Sequence, residues 1–453
     1  MKHKLFIAAF LLLCLVPSLG LMAFGPAKAA ANERQAALPA LRQADGRWNL
    51  QYLTQLGDWF GDRFALRQEL VTAHSALTAA VMHTSAAPEV LLGRDGWLFY
   101  ADTLDDYTGA ARMTERELWS AARSLGLMAE YCRGLGAEIV FTVAPNKNAL
   151  YGDRMPARYP AAADPGDGER LLALLREEGV VCADLFSAFR AQPEPLYRKQ
   201  DSHWTQQGAA LAADTLLAAL GREGDWFRRD YTEAYDAVGD LYEMLYPAGT
   251  ARDRDLVYAG DFTFTYPRPV RSPEELLIRT ACPGRDGSLL MFRDSFGNAL
   301  YPLLAEEFGS ACFSRLTPYD LSMVTREGAD TVVVELVQRN LRWLLDRPAR
   351  FPAPQRGLPQ ETDQLPVSGT AAVTTVPSDA FPAYLEASGS VSCPGLDTAS
   401  PVYLLCGERL YEATPTGERG FLACLPEGEA GQIRAVLVYC GGSLTRLEIK
   451  PEE

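Results

Sequence analysis

The sequence predicts an α/β core, with a parallel sheet flanked by helices, followed by a small C-terminal β-sandwich-like domain. Between residues 91 and 350, apolar runs rich in β-branched residues alternate with segments of helical periodicity. This alternation is typical of a parallel sheet that helices cover on both faces. After residue 370 the apolar runs become short and regularly spaced, which favours a small β-sandwich.

The first 30 residues indicate export. Lys2, His3 and Lys4 form a basic start, residues 5–25 carry no charge, and residues 27–29 offer an A-x-A-like cleavage site. This pattern is typical of a signal peptide, but the stretch is also long enough for an uncleaved membrane anchor. We therefore expect an extracytoplasmic protein, either secreted or anchored to the outer face of the cell membrane. Residues 31–90 are expected to be helical, since their apolar residues recur every three to four positions.

The elements of the core, residues 91–350, follow from these patterns in order. Strands are expected at residues 97–100, 138–144, 180–185, 288–292, 311–315 and 331–335, and helices at 115–135, 169–178, 205–220 and 301–307. Residues 221–287, rich in Tyr, Asp and Arg, interrupt the alternation and predict an insertion or lid. Residues 351–370 read as a linker, and residues 371–453 form the β-rich domain, with strands expected at 401–405, 420–424, 433–439 and 444–449.

The composition argues against nucleic-acid binding. The chain has 453 residues and a net charge of −15, and a protein that binds nucleic acid needs basic patches on its surface. The cysteine spacings do not match a zinc site. We predict no metal, and we also predict no cofactor. One of the nine cysteines, Cys14, lies in the leader; in an exported chain the other eight permit disulfides, with free buried thiols as the alternative.

Two segments carry candidate chemistry. Asp201 and His203 lie just before an alanine-rich helix for which Thr205 is a suitable N-cap. Ser295 follows an apolar strand at the turn into a helix, at the sheet edge where α/β folds bind ligands. A serine nucleophile needs a base, and the base needs a group that orients it. These three residues supply all three types, although each segment also reads as a capping turn or as a tight strand-to-helix turn around Trp204 or Ser295. The sequence has two other histidines beyond the leader, His74 and His83, which are expected to be surface or packing residues.

Taken together and in order, several segments resemble the DHHW family, relatives of the periplasmic alginate O-acetyltransferase proteins. That family has an SGNH-hydrolase-like domain with circularly permuted motif blocks. The matching segments are residues 32–34, 62–64 with Arg67, 92–100, 144–147 with Tyr151, 201–204, 293–296, and 332–335 with Arg339. Two departures stand out: Ser202 replaces the first histidine of the family name, and Gln338 stands where relatives often carry Glu.

The resemblance implies roles for the site residues. Ser295 would be the acyl-carrying nucleophile, His203 the general base and acid, and Asp201 the residue that orients His203. The backbone N–H of Ser295 is the first candidate oxyanion donor. Further oxyanion or substrate-binding candidates lie beside the nucleophile or after neighbouring strands: Arg293, Asn298, Tyr301, Tyr319, Gln338, Arg339, Asn146 and Lys147. Helix capping or surface ion pairing is the alternative for each of these eight.

The resemblance also implies a function. We expect an extracytoplasmic O-acetyltransferase that acts on a cell-surface or exported polysaccharide through an acyl-enzyme. A membrane-bound O-acyltransferase partner would supply the acetyl groups, because acetyl-CoA is not expected outside the cell. The same triad would support a carbohydrate acetylesterase. A non-catalytic glycan-binding or scaffold protein of the cell envelope is the alternative from a different class.

Overall fold

The structure of the protein is a computed structural model that describes residues 2–26, 35–358 and 362–450. The N-terminal helix α1 spans Lys2–Phe24. Within the described ranges, none of the helices combines the length and the apolar character needed to cross a membrane. The cleavage-site pattern at 27–29 and the motif at 32–34 both lie outside the described residues.

Two helices and a β-hairpin precede the core. The expected helical region contains α2 (Tyr52–Arg63) and α3 (Arg67–Met82). The hairpin pairs β1 (Val90–Leu92) with β2 (Leu98–Tyr100) in antiparallel register, and α4 (Leu104–Thr108) follows it. The connection between the two strands includes Gly96 at φ +77°, a left-handed conformation that glycine adopts without steric cost.

The core consists of a six-stranded sheet, the helices that flank it, and a separate pair of strands. In chain order its elements are α5 (Glu115–Gly134), β3 (Glu138–Ala144), α6 (Lys147–Leu150), α7 (Asp167–Glu177), β4 (Val181–Ala183), α8 (Leu185–Arg190), α9 (Gln206–Ala219), β5 (Tyr231–Ala234), α10 (Asp240–Leu245), β6 (Asp255–Tyr258), β7 (Leu277–Ala281), β8 (Ser288–Phe292), α11 (Gly297–Ala305), β9 (Ser310–Ser314), α12 (Ser322–Glu327), β10 (Thr331–Val337) and α13 (Trp343–Asp346). Six strands form the sheet in the order β4-β3-β10-β8-β9-β7. All neighbours are parallel except β7, which runs antiparallel to β9 at the edge.

Helices cover both faces of this sheet. Along β3, Phe141 and Val143 pack into an apolar cluster with α5 and α7, whereas Val140 and Ala144 pack into a second cluster with α9 and α11. A strand buried on both faces reads as a continuous apolar run, which is how this segment stands out in the sequence. The predicted α/β fold class is confirmed.

The segment predicted as an insertion or lid is partly integrated into the core. It contains the antiparallel pair β5–β6 and the helix α10, and it ends in the edge strand β7. Leu241 and Leu245 on α10 are fully buried against Val90 and Leu98 of the hairpin. The helix α10 is therefore packed in place beside the hairpin.

The C-terminal domain is a closed β-structure. Its elements are β11 (Gln355–Arg356), β12 (Val367–Pro377), β13 (Tyr384–Ser392), β14 (Val402–Cys406), β15 (Arg409–Thr416), β16 (Gly420–Pro426), α14 (Glu427–Ala430), β17 (Ile433–Cys440) and β18 (Ser443–Lys450). Their sheet order is β11-β15-β14-β17-β18-β12-β13-β16, and an additional β15–β16 pairing closes it. The expected β-rich domain is thus one sheet closed into a barrel, and a disulfide joins Cys393 to Cys440. Six described cysteines are free thiols: Cys132, Cys182, Cys282, Cys312, Cys406 and Cys424.

The described parts of the segment predicted as a linker contact both domains. Phe351 is buried in the apolar cluster of the core, β11 pairs with β15 of the barrel, and β12 already begins at Val367. Its Pro- and Thr-rich composition conceals these contacts, because a two-residue edge strand leaves no periodic pattern in the sequence.

A buried carboxylate joins the two domains. Glu412 of β15 accepts hydrogen bonds from Arg123 of α5 at 2.7 and 2.8 Å, and from Arg356 of β11 at 2.7 Å. The Glu412 side chain is only 1% exposed. Arg356 also donates two bonds of 2.6 Å to Glu130 of α5. Helix α5 is thereby fixed between the sheet and the barrel.

Candidate active site

The structure brings Asp201, His203 and Ser295 into one hydrogen-bonded chain. Ser295 lies in the turn between β8 and α11, and the other two residues lie in the loop between α8 and α9. His203 Nε2 is 2.9 Å from Ser295 Oγ, and His203 Nδ1 is 2.8 Å from Asp201 Oδ1. A histidine that donates through Nδ1 to the carboxylate presents Nε2 as the acceptor for the serine proton.

The charges around His203 suit a general base. Burial alone would lower the pKa of His203, but the hydrogen bond and charge of Asp201, with the charge of Asp240, outweigh burial and raise that pKa. Burial likewise opposes ionisation of Asp201, yet its bond to His203 and the positive charges of His203 and Arg198 hold the Asp201 pKa well below its usual range. Asp201 therefore remains a carboxylate while it orients the imidazole.

The turn that carries Ser295 is held by a buried acidic pair. Asp294 accepts a hydrogen bond from the Phe296 N–H at 2.9 Å, and its other oxygen accepts 2.9 Å bonds from the Val337 N–H and the Asn340 amide. Beneath it, the Glu335 carboxyl lies 3.2 Å from the Asp294 N–H. Burial raises the pKa of Glu335 well above its usual value, which favours the protonated form of this side chain.

Lys147 supports the site from below and does not line it. Its Nζ donates to the carbonyl oxygens of Leu98, Lys199 and Asp201 at 2.8, 2.8 and 2.9 Å. Burial lowers the pKa of Lys147 to about 7. Lys147 thus ties β2 to the loop that carries Asp201. The neighbouring Asn146 is also buried, and its side-chain oxygen accepts from the Arg339 N–H at 3.2 Å.

Three of the candidates beside the nucleophile make hydrogen bonds outside the cleft: Arg293, Asn298 and Tyr301. The buried Arg293 guanidinium donates to Asn298 Oδ1 at 2.6 Å and to the Pro273 carbonyl at 2.7 Å. Tyr301 bonds through its hydroxyl to the hydroxyl of Tyr266 at 2.9 Å. These three side chains do not line the cleft above Ser295.

Of the three candidates after β9 and β10, the structure brings only Arg339 to the cleft. Tyr319 is buried in the apolar core, with its ring 4.9 Å from that of Phe292. Gln338 is buried too: its Oε1 accepts from the Asn146 N–H at 3.0 Å. Arg339 lines the cleft, and among the described residues its side chain has no hydrogen bond or ion pair. Its guanidinium carbon lies 5.3 Å from the Phe296 ring and 5.4 Å from the Tyr100 ring.

The cleft above Ser295 has a volume of about 930 Å³. Sequence reasoning missed most of its lining, which comprises Tyr100, Asp102, Ser202, Asp240, Met244, Glu274, Arg315, Asn340 and Trp343 in addition to His203, Ser295 and Arg339. Arg315 directly follows β9, so the sheet-edge rule that led to Ser295 was a usable signal for it. Asp240 and Glu274 lie in the predicted insertion, where no periodicity or motif distinguished them.

Asp201, His203 and Asp240 also form a possible metal-ligand set, since one ligand atom from each lies within 4.8 Å of the others. Each facing atom already has a hydrogen-bond partner. His203 Nδ1 bonds to Asp201, and Asp240 Oδ2 accepts from the Ser202 hydroxyl at 2.5 Å. We therefore assign the cluster to the hydrogen-bond network of the histidine.

This arrangement can activate a serine hydroxyl for attack on an acyl carbon. The base lies within hydrogen-bond distance of the nucleophile, and the orienting carboxylate lies within hydrogen-bond distance of the base. The nucleophile opens to a cleft large enough for a sugar residue and a donor group.

The chain is similar to several known proteins and to one family of protein domains. Residues 90–265 match the family described as SGNH hydrolase-like domain, acetyltransferase AlgX. The probable alginate O-acetylase AlgJ of Pseudomonas syringae pv. tomato is 24% identical over 209 residues, which are 44% of this chain and 51% of that protein. The protein of the same name from Pseudomonas aeruginosa is 26% identical over 163 residues, covering 36% of this chain and 40% of that protein. A solved DHHW family protein from Eubacterium siraeum is 15% identical, with a TM-score of 0.42, covering 58% of this chain and 96% of that one.

These matches confirm the resemblance to the alginate O-acetyltransferase relatives and to their SGNH-like domain. The chain spans about half the length of the Pseudomonas syringae protein and less of the Pseudomonas aeruginosa protein. The family match includes Asp201, His203 and Asp240 and ends before Ser295.

Proposed function

We propose that this protein is an extracytoplasmic polysaccharide O-acetyltransferase that works through an acetyl-enzyme on Ser295. The observation that carries the proposal is the continuous chain from Asp201 through His203 to Ser295, which opens into a cleft of about 930 Å³. The names of the relatives support acetyl transfer to a polysaccharide, since they are described as alginate O-acetylases.

In the first half-reaction Ser295 Oγ attacks the acetyl carbonyl of the donor. His203 Nε2 takes the hydroxyl proton as the new C–O bond forms, and Asp201 stabilises the imidazolium. The tetrahedral intermediate then expels the donor's leaving group, which receives the proton from His203. The acetyl group remains as an ester on Ser295.

In the second half-reaction a sugar hydroxyl takes the place of the leaving group. His203 removes its proton, the oxygen attacks the acetyl carbon, and Ser295 leaves with the proton returned to it. For the oxyanion of both intermediates we propose the backbone N–H of Ser295 and the guanidinium of Arg339. Arg339 suits this role because it lines the cleft and no carboxylate of the described residues neutralises it.

The donor would come from outside the chain. A membrane-bound O-acyltransferase that passes acetyl groups across the membrane is the partner we propose. The charge-free segment at residues 5–25 supports export to the compartment where such a partner would deliver them. The acceptor would be an exported or cell-surface polysaccharide.

A transfer assay tests the proposal. The protein is incubated with a chromogenic acetyl ester as donor and alginate oligosaccharides as acceptor, and acetylated sugar and free acetate are quantified by mass spectrometry. We expect acetylated oligosaccharide in excess of free acetate for the wild type, and neither product above background for Ser295→Ala.

The other outcomes discriminate the alternatives. Free acetate without acetylated sugar would assign the triad to an acetylesterase. Oligosaccharide binding that persists while wild type and Ser295→Ala are equally inactive would overturn the enzyme and favour a glycan-binding protein.

A further inference from the structure

A second carboxylate faces the catalytic histidine. Asp240 Oδ2 lies 3.4 Å from His203 Nδ1, on the same side of the ring as Asp201. The Asp240 side chain is 29% exposed and lines the cleft, whereas Asp201 is buried. The proposed mechanism uses only Asp201, so the presence of Asp240 needs an explanation of its own.

Ser202 connects Asp240 to the imidazole. Its hydroxyl donates to Asp240 Oδ2 at 2.5 Å, which leaves the oxygen of that hydroxyl directed at His203 Nδ1, 3.2 Å away. Its backbone N–H donates to Asp240 Oδ1 at 2.7 Å. The Nδ1 side of the ring therefore faces three oxygens, one each from Asp201, Ser202 and Asp240.

The backbone fixes Asp240 in this place. The Asp240 N–H donates to Asp201 Oδ2 at 3.3 Å, so the two acidic residues are joined directly. Gly239 lies so close to the catalytic loop that a Cβ there would be 2.2 Å from the Gln200 carbonyl oxygen. Only glycine permits this approach, and the buried leucines of α10 hold the helix against the hairpin.

We propose that Asp240, acting with Ser202, is a second positioning residue for His203 that fixes the ring orientation and stabilises the imidazolium formed during acyl transfer. This inference rests on the proposed function for its catalytic meaning. Its electrostatic part concerns the free protein and can be measured without any substrate.

The sign of the effect follows from the charges that face His203. Asp201 and Asp240 are negative and favour the imidazolium, Arg339 after β10 is positive and opposes it, and Arg198 acts on Asp201 through an ion pair of 3.4 Å. The net effect raises the pKa of His203 above its ordinary value of 6.5. His203 acts as a base only when neutral, so activity falls as the pH drops through this raised pKa.

Histidine NMR on the full chain tests the inference. The chain has four histidines, and His203→Gln identifies the resonance of interest. Asp240→Asn keeps the shape and the Oδ1 acceptor but removes the charge, so the His203 pKa is expected to fall by about one pH unit, the effect of one charge near 4 Å in a solvated site. Glu243→Gln, the same charge change on α10 outside the cleft lining, is the matched control and should leave the titration unchanged.

Activity measurements give the second readout. In the hydrolysis of a chromogenic ester by Asp240→Asn, the acidic limb of the pH–activity profile should shift together with the His203 pKa measured by NMR. The kcat on the plateau of that profile should fall about tenfold, because the imidazolium loses a stabilising charge. Ser202→Ala keeps the charge, so its pH profile should stay close to that of the wild type while kcat decreases.

The outcomes separate this inference from the proposed function. A His203 titration that is identical in wild type, Asp240→Asn and Glu243→Gln overturns the inference, whatever the activity. Wild-type protein that titrates as described but forms no acetyl-enzyme and turns over no ester overturns the proposed function and leaves only the electrostatic contact. A simple folding role would reduce activity in Asp240→Asn without moving either pH readout.

Discussion

At the scale of one residue, the buried side chain of Lys147 shows how the site is held together. Its three hydrogen bonds end on carbonyl oxygens of β2 and of the loop before His203. Its ammonium also lies 4.8 Å from the centre of the Trp97 ring. Two segments that are distant in the sequence, residues 97–100 and 199–201, are therefore fixed to each other through a single side chain.

We predict that Lys147→Met lowers the free energy of unfolding by about 2–4 kcal/mol, because three buried carbonyls lose their donor. The measurement is urea unfolding followed by tryptophan fluorescence. Lys199→Met is the control, since Lys199 is exposed and forms no side-chain hydrogen bond within the described residues. Equal stability of the two variants would contradict the anchoring role of Lys147.

Individual residues also show which parts of the site can be predicted from the sequence. The sequence allowed the prediction of Asp201, His203 and Ser295, because each lies in a short motif next to an apolar strand or a helix start. Asp240 could not be predicted in this way, since its approach to His203 depends on Gly239 and on how α10 packs. Tyr319 and Gln338 follow strands as expected, but their side chains turn into the core, and a sequence does not specify that direction.

At the scale of elements, helix caps set the loops that carry the catalytic groups. The predicted N-cap Thr205 is confirmed: its hydroxyl accepts from the Gly208 N–H at 3.0 Å and lies 3.1 Å from the Leu196 carbonyl. The cap is buried and lies two residues after His203. The start of α9 and the position of the imidazole are consequently coupled.

We predict that Thr205→Ala destabilises the protein by about 1–2 kcal/mol, the usual cost of losing a helix N-cap. Thr205→Ser retains the hydroxyl and should recover most of that loss. Thermal unfolding of the three proteins, compared with their kcat for ester hydrolysis, measures both effects. An alanine variant as stable as the serine variant would show that the cap contributes nothing.

Strand boundaries were predictable where burial is complete and not where a strand is exposed on one side. The expected strand at residues 138–144 coincides with β3, whose last six residues are buried. The edge strand β7 was missed, because its burial alternates and an arginine interrupts its apolar pattern.

Helix α11 begins at Gly297, before the predicted residue 301, because Gly297 and Asn298 are weak helix formers that conceal the start.

At the scale of the whole molecule, the barrel and the catalytic core are joined by buried charge. Glu412 is enclosed by Arg123 and Arg356, and both arginines bind further acids on or near α5. Helix α5 also contributes a large part of the apolar cluster beneath the sheet. The two domains should therefore unfold together.

We predict that Glu412→Gln lowers the free energy of unfolding by about 3 kcal/mol, because it leaves two partly buried guanidinium groups without their shared carboxylate. Glu429→Gln is the control: Glu429 pairs with the exposed Arg409 on the barrel surface and should leave the unfolding midpoint unchanged. Calorimetry provides the measurement. Two resolved transitions in the wild type would contradict the coupling of the domains.

In the C-terminal barrel, local sequence patterns predicted individual strands but did not predict how the strands are arranged. Alternation predicted strands at residues 420–424 and 433–439, and β16 and β17 occupy these places. The alternation did not predict that the sheet closes into a barrel. Closure results from the pairing of β15 with β16, and this pairing depends on the order of all strands in the sheet. Sandwiches and barrels share the same inward and outward alternation.

The central claim is that Ser295 carries the acetyl group, and mass spectrometry tests it most directly. The intact protein is exposed to a chromogenic acetyl ester, quenched in acid and digested. The account predicts a gain of one acetyl group on the wild type, located on the peptide that contains Ser295, and no gain on Ser295→Ala. An acetyl group on another residue, or ester turnover that survives in Ser295→Ala, would contradict the account.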